Sequence, residues 1–218
     1  MKHLNEYFDH TILKAEATEG DVIRICEEAK KYGFYAVCVN ACYVNLAKKQ
    51  LEGSAVKVAS VIGFPLGACG TAVKVFETEW ACSQGANEID MVISVGALKE
   101  GKFEMVRDDI QAVVETAKKQ GAIVKVILET CLLSDEEIVI ACNLSKEAGA
   151  AFVKTSTGFS TGGATVHHVA LMKKTVGDVM QVKASGGIRT LETTKKMIEA
   201  GADRIGASAS VSILKEEN

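Results

Sequence analysis

Four segments of this chain repeat one pattern: a glycine, a short link, then a brief run rich in valine and isoleucine. They are GANEIDMVI from Gly85, GAIVKVILE from Gly121, GAAFVKTST from Gly149 and GADRIGASA from Gly201. Glycine ends helices readily because it adopts the left-handed conformation without steric penalty. A short, continuous apolar run suits a strand covered on both faces. Between these phrases lie amphipathic stretches that open with helix-start signals. Thr18 precedes GDVIRICEEAKKYG, and Ser134 to Glu137 form a capping-box pattern ahead of IVIACNLSKEAG. Strand and helix therefore alternate along the chain.

Extending the pattern gives strands at about residues 7–13, 36–40, 56–63, 88–94, 123–129, 152–157, 181–186 and 204–209, each followed by a plausible helix. Eight parallel strands with helical crossovers predict an α/β fold of the (β/α)₈ TIM-barrel type, at the short end of that fold's length range. A doubly wound open sheet is the alternative, but neither G-x-G-x-x-G nor G-x-x-x-x-G-K-[ST] follows any strand. No linker or shift in composition marks a second domain, so residues 1–218 read as one barrel. A chain that is 48% hydrophobic supplies the core such a fold needs.

Other classes of function fit poorly. The net charge of −3 is spread along the chain, without the basic stripe of a nucleic-acid-binding protein. The N-terminus lacks an apolar leader, and no stretch approaches the roughly 18 apolar residues of a membrane span, so a cytoplasmic protein without a membrane partner is expected. Seven scattered cysteines without C-x-x-C pairs read as reduced thiols. His3, His10, His167 and His168 fall in no metal-ligand spacing, so no metal site is predicted. His167 and His168 read as surface residues pointing in different directions.

In a barrel of this kind the active site forms at the C-terminal ends of the strands. Three charged residues stand late in apolar strands: Asp90 in EIDMVI, Lys154 in FVKTST and Lys183 in QVKASGG. They could form a structural ion-pair layer, a role that Lys57 and Lys125 suit because each comes early in its strand. They could equally do chemistry. A lysine attacks a carbonyl only as the neutral amine, and both burial and a neighbouring ammonium favour that form. Lys154 beside Lys183 fits this scheme, with Asp90 as a general acid or base. Cys38 and Cys131 have no histidine at a strand end to activate them as nucleophiles.

A second group of motifs suits phosphate. SGGIRT, from Ser185 to Thr190, ends one strand and opens a helix, and GASAS, from Gly206 to Ser210, does the same one strand later. Backbone N–H groups and helix N-termini after strands seven and eight are the usual phosphate site of this fold. TSTGF, from Thr155 to Phe159, adds hydroxyls and a glycine to the same rim, and GFPLGACGT reads as a rigid loop around the only proline, Pro65. A silent phosphosugar-binding barrel and a sugar-phosphate isomerase using Asp90 as base remain open on these residues alone.

Taken together, EIDMVI, FVKTSTGF, VKASGGIRT, IGFPLGA and the closing IGAS closely resemble the deoxyribose-phosphate aldolase family of class I aldolases, over nearly the whole chain. The resemblance implies a TIM barrel that cleaves 2-deoxy-D-ribose 5-phosphate reversibly to D-glyceraldehyde 3-phosphate and acetaldehyde, in deoxynucleoside catabolism. It implies no cofactor or metal and a homodimer. By resemblance, Lys154 is the Schiff-base lysine, Lys183 its activating partner and Asp90 the proton donor and acceptor. Asp9 and Cys38 would line the pocket from the first two strands. Thr155, Gly158, Gly186, Gly187, Ile188, Arg189, Gly206, Ala207 and Ser208 would hold the substrate and its phosphate. This chain carries Phe159 where some relatives have a basic residue, and ends LKEEN where some end in a tyrosine.

Overall fold

The computed structural model describes residues 3–217. Its first half runs β1 (Phe8–Ile12), α1 (Glu19–Tyr32), β2 (Ala36–Val39), α2 (Val44–Gln50), β3 (Lys57–Ile62), α3 (Thr71–Ser83), β4 (Glu88–Val92), α4 (Val95–Lys99) and α5 (Phe103–Lys119). The second half continues with β5 (Ile123–Ile127), α6 (Asp135–Glu147), β6 (Phe152–Lys154), α7 (Val166–Val176), β7 (Gln181–Ser185), α8 (Leu191–Glu199), β8 (Arg204–Ala207) and α9 (Ser210–Lys215). The eight strands pair in sequence order, all parallel, and β8 closes on β1. Every predicted strand overlaps an observed one.

The local chemistry is what the sequence pattern demands. Thr18 caps α1 by accepting from the Asp21 N–H, and Ser134 caps α6 in a reciprocal box with Glu137. All four phrase glycines take positive φ, from 74° at Gly121 to 110° at Gly85. At Gly85 and Gly201 a Cβ would also strike a lysine stem from a preceding helix, Lys48 and Lys173 respectively. Between barrel and helices lies a continuous apolar layer built from Val37, Ile89, Val126, Val153, Val182 and Ile205 on the strands and Ile25, Ile110 and Met172 on the helices. Burial of this layer is the main force holding the helices to the barrel.

Alternation along each strand then sends the intervening side chains inward. Here the interior is unusual. A small apolar group of Leu13, Cys38, Ala59 and Val61 fills one side, while the rest is filled by Asp9, Glu88, Asp90, Lys125, Lys154, Lys183 and Arg204, all at most 4% exposed. Strand register brings these residues level: Asp90 pairs with Lys125 across β4–β5, Lys154 with Lys183 across β6–β7, and Lys183 with Arg204 across β7–β8.

Every strand ends one to three residues before the bound that the sequence pattern suggests, β6 most of all. β4, β5 and β6 end at Val92, Ile127 and Lys154, whereas the predicted strands continue to 94, 129 and 157. The chain there stays buried but leaves the regular ladder, because the strand ends turn to form the barrel mouth. Glu129, at φ 58° and ψ 60°, is the only non-glycine residue with positive φ among the described residues.

Candidate active site

The interior charges form one connected cluster. Asp90 is its hub: Oδ1 accepts from Lys125 Nζ at 2.7 Å, and Oδ2 accepts from both Lys154 Nζ and Lys183 Nζ at 2.8 Å. Asp9 accepts from Lys183 and, at 2.7 Å, from Arg204 Nη1. Glu88 lies 2.6 Å from Lys125 and 3.3 Å from Arg204. The Arg204 guanidinium also rests on the Tyr35 ring, 3.5 Å from its centroid.

The charges in this cluster do not balance if every group is ionised. Three carboxylates (Asp9, Glu88, Asp90) face four cations (Lys125, Lys154, Lys183, Arg204). An uncompensated charge in a desolvated interior is costly, and the usual escape is a change of protonation. Burial opposes charge on Asp90, yet Lys125, Lys154 and Lys183 outweigh it and hold the carboxyl well below its usual value. Asp9 is likewise lowered, with Lys183, Lys125 and Arg204 overcoming burial. Burial acts against the charge of Lys125, Lys183 and Arg204 too, but their carboxylate partners raise all three. Lys154 alone shifts downward. Burial is the largest cause, and the Lys183 charge adds to it against the attraction of Asp90, the only carboxylate that it contacts among the described residues. Neutralising Lys154 leaves three cations on three anions.

Lys154 is also the member that meets the outside. A cavity of about 510 Å³ opens at the C-terminal mouth, and Lys154 lines its floor. Of the residues predicted for substrate binding, Gly158, Gly186, Gly187, Ile188, Arg189, Gly206, Ala207 and Ser208 all line this cavity. Asp9, Cys38 and Thr155 do not. Asp9 sits below the floor, tied to Lys183 and Arg204. Cys38 is fully buried, and burial first, then Asp90, push its thiol up. Thr155 spends its hydroxyl between strands, donating to the Ser185 carbonyl and accepting from the Ser185 N–H, both at 3.0 Å. Asp90 and Lys183 flank Lys154 from beneath.

Sequence reasoning missed several participants. Thr157, two residues beyond Thr155, lines the cavity, as do residues of the end of β1, the β1–α1 connection and α1, including Thr11, Lys14 and Arg24. Lys57 is exposed at the start of β3, as its early position suggests. Lys125, read the same way, belongs to the ion-pair layer but is fully buried and bonds Asp90 directly, because its flexible four-carbon stem carries the amine along the barrel axis. Glu88 and Arg204 carried no separate signal, although an arginine inside the apolar GADRIG phrase was available as one. His167 and His168 do not point apart. Their ring nitrogens and the Asp135 carboxylate lie within 4.8 Å of one another at the outer rim, with His167 Nε2 2.7 Å from Asp135.

A closed parallel barrel with a desolvated lysine on the floor of its C-terminal cavity is the framework of an aldolase, a carbon–carbon lyase. Comparison with known proteins narrows the class. A model of the DeoC/LacD family aldolases matches residues 4–216, and this chain belongs to that family. It is 60% identical over 219 residues to the deoxyribose-phosphate aldolase of Clostridium novyi (strain NT), covering 99% of this chain and 98% of that one. It is also 60% identical over 212 residues to the deoxyribose-phosphate aldolase of Thermococcus gammatolerans, covering 96% and 94%. Among solved structures, the tetrameric deoxyribose phosphate aldolase of Aeropyrum pernix superposes with a TM-score of 0.93 at 37% identity, covering 98% of this chain and 90% of that one.

Proposed function

We propose that this aldolase cleaves 2-deoxy-D-ribose 5-phosphate reversibly to D-glyceraldehyde 3-phosphate and acetaldehyde through an imine on Lys154. The observation that carries the reading is the charge balance of the interior, which is met when Lys154 alone gives up its proton. The neutral amine attacks the C1 aldehyde, and loss of water from the carbinolamine gives a protonated imine. The C3 hydroxyl then loses its proton, its electrons form the new carbonyl, and the C2–C3 bonding pair moves into the imine. D-Glyceraldehyde 3-phosphate leaves, the enamine is protonated at C2, and hydrolysis releases acetaldehyde and the free amine. The protonated imine is the electron sink.

Asp90 is ionised in the resting site, held low by three lysines. Its first act is therefore to accept a proton as the carbinolamine forms, and only then does it have one to return. Lys183 keeps its own proton and acts as a fixed charge that favours the neutral form of Lys154. The phosphate would lie against the backbone of Gly158, Gly186, Gly187 and Gly206, with Arg189 at the rim. The same mouth gives the isomerase reading little support, since Asp90 does not line the cavity and is bonded to Lys154 beneath its floor.

Val73, Phe76 and Trp80 recur along one exposed face of α3, between 50% and 66% accessible, and suit an interface with a second copy in a homodimer. Seven free thiols and a phosphorylated substrate suit the cytoplasm. Among the described residues no helix is long and apolar enough to cross a membrane. The direct assay follows both products from purified enzyme and 2-deoxyribose 5-phosphate. Equimolar acetaldehyde and glyceraldehyde 3-phosphate are expected, and isomerised sugar phosphate without cleavage would overturn the reading.

A further inference from the structure

The catalytic scheme makes no use of Glu129, yet the fold treats it exceptionally. Its carboxylate is buried, 3% exposed, and its donors are all uncharged: the Thr157 N–H at 3.2 Å, the Thr157 hydroxyl, and the Cys131 thiol at 3.9 Å. Its backbone is left-handed, a conformation that costs a residue with a Cβ of order 1 kcal/mol or more and persists only where the surroundings enforce it. Burial of a carboxylate without a cation adds to that cost. Neither cost is needed to build the barrel, since β5 has already ended at Ile127.

The geometry shows what is obtained in return. On either side of Glu129, the Leu128 N–H donates to the Lys154 carbonyl and the Thr130 N–H to the Thr155 carbonyl, both at 2.9 Å. The left-handed turn thus lets the chain follow β6 past its last regular residue, while the Glu129 side chain reaches across to Thr157. Thr157 in turn accepts from the Phe159 N–H at 3.0 Å, closing a tight turn with Gly158 at its tip. Gly158 has φ 85° and lines the cavity beside Gly186, whose ideal Cβ would lie 3.7 Å from the Gly158 Cα.

We infer that Glu129 is a positioning residue for the phosphate arm of the site: through Thr157 it fixes the turn 157–159, so that the Gly158 backbone is presented to the 5-phosphate. This rests on the reading of the cavity as a phosphosugar site. Glu129 touches neither Lys154 nor Asp90 by any hydrogen bond, so it acts on recognition of the phosphate and leaves imine chemistry alone. A negative charge set so close to a phosphate subsite is tolerated because it is sheathed by donors from Thr157 and Cys131.

The test compares Glu129→Ala, Glu129→Gln and Thr157→Val with wild type, using 2-deoxyribose 5-phosphate and unphosphorylated 2-deoxyribose as substrates. Borohydride trapping with acetaldehyde reports imine formation independently. In Glu129→Ala, KM for the phosphorylated sugar is expected to rise roughly tenfold or more, the loss of about one charge-assisted hydrogen bond. Turnover of 2-deoxyribose and the yield of trapped adduct are expected to stay within about twofold. Glu129→Gln keeps an acceptor for Thr157 and is expected to restore most of the affinity, while Thr157→Val, which removes the hydroxyl that Glu129 holds, is expected to raise KM for the phosphorylated sugar as the alanine variant does, which keeps the test decisive if the alanine variant folds poorly. Equal losses on both sugars, or no loss in any variant, would overturn the inference. Failure of wild-type enzyme to form the acetaldehyde adduct would instead overturn the imine reading on which it rests.

Discussion

Replacing Lys183 by methionine isolates the electrostatic part of the mechanism. Both Lys154 Nζ and Lys183 Nζ lie 2.8 Å from the same Asp90 oxygen, so the two nitrogens are no more than about 5.6 Å apart. At an effective dielectric constant of ~20, two unit charges at that distance repel by about 3 kcal/mol. Removing one of them makes a protonated Lys154 cheaper by that amount, and Asp90, freed from Lys183, binds the remaining ammonium more closely. The ratio of neutral to protonated Lys154 then falls by roughly 100-fold. The fold is expected to tolerate the change, because with Lys154 protonated the interior again carries three cations and three carboxylates. The assay is kcat/KM for 2-deoxyribose 5-phosphate across neutral to alkaline pH, alongside thermal melts. A deficit of up to ~100-fold at neutral pH that narrows as pH rises is expected, since alkali deprotonates Lys154 in either protein. A folded variant whose deficit stays constant with pH would refute the argument and give Lys183 a direct part in proton transfer.

Other perturbations test separate links. Gly163→Ala would place a Cβ 2.2 Å from the Gly186 carbonyl oxygen, and backbone cannot yield as a side-chain tip does, so the phosphate loop must move. KM for the phosphorylated sugar is expected to rise at least ~10-fold, with acetaldehyde trapping on Lys154 retained. Asp9 and Asp90 are both held below their ordinary 3.8 when folded, so the stability they provide is present above that pH and is lost as pH falls through the lowered values. Melting temperature should therefore drop steeply below pH 3.8, and less steeply in Asp9→Asn, as differential scanning calorimetry would show. Trp80→Glu puts a charge on the apolar face of α3 and is expected to shift the sedimentation coefficient to that of a monomer while the melting transition is preserved.

How much of this could be seen in the sequence depended on the kind of signal. The barrel was legible because its determinants are local and periodic: a glycine that ends each helix, then an apolar run of strand length, as in GANEIDMVI and GAIVKVILE. Asp90, Lys154 and Lys183 stood out because a charge directly after a buried-type isoleucine or valine, late in an apolar run, is anomalous within one strand. The rest of the cluster was hidden by geometry that no single strand contains. Lys125 begins too early in β5 for its backbone position to suggest that its amine reaches Asp90, and only the register of β4 against β5 brings them level. Arg204 and Glu88 complete the charge balance across strands far apart in sequence. Thr155 was chosen over Thr157 because hydroxyls in an apolar segment look alike until their partners are known: one is bonded between β6 and β7, while the other is held by Glu129 on a residue that lines the cavity. Glu129 gave no sequence signal at all, since nothing in ILETCLL marks a left-handed backbone.

The central claim is that Lys154 is the amine that forms the imine. Purified protein would be incubated with acetaldehyde or 2-deoxyribose 5-phosphate, reduced with borohydride, digested and analysed by peptide mass spectrometry. A stable two-carbon adduct confined to the peptide bearing Lys154, absent when borohydride is omitted, is the expected result. Folded protein that binds the sugar phosphate yet yields no adduct, or an adduct on Lys183, would contradict it.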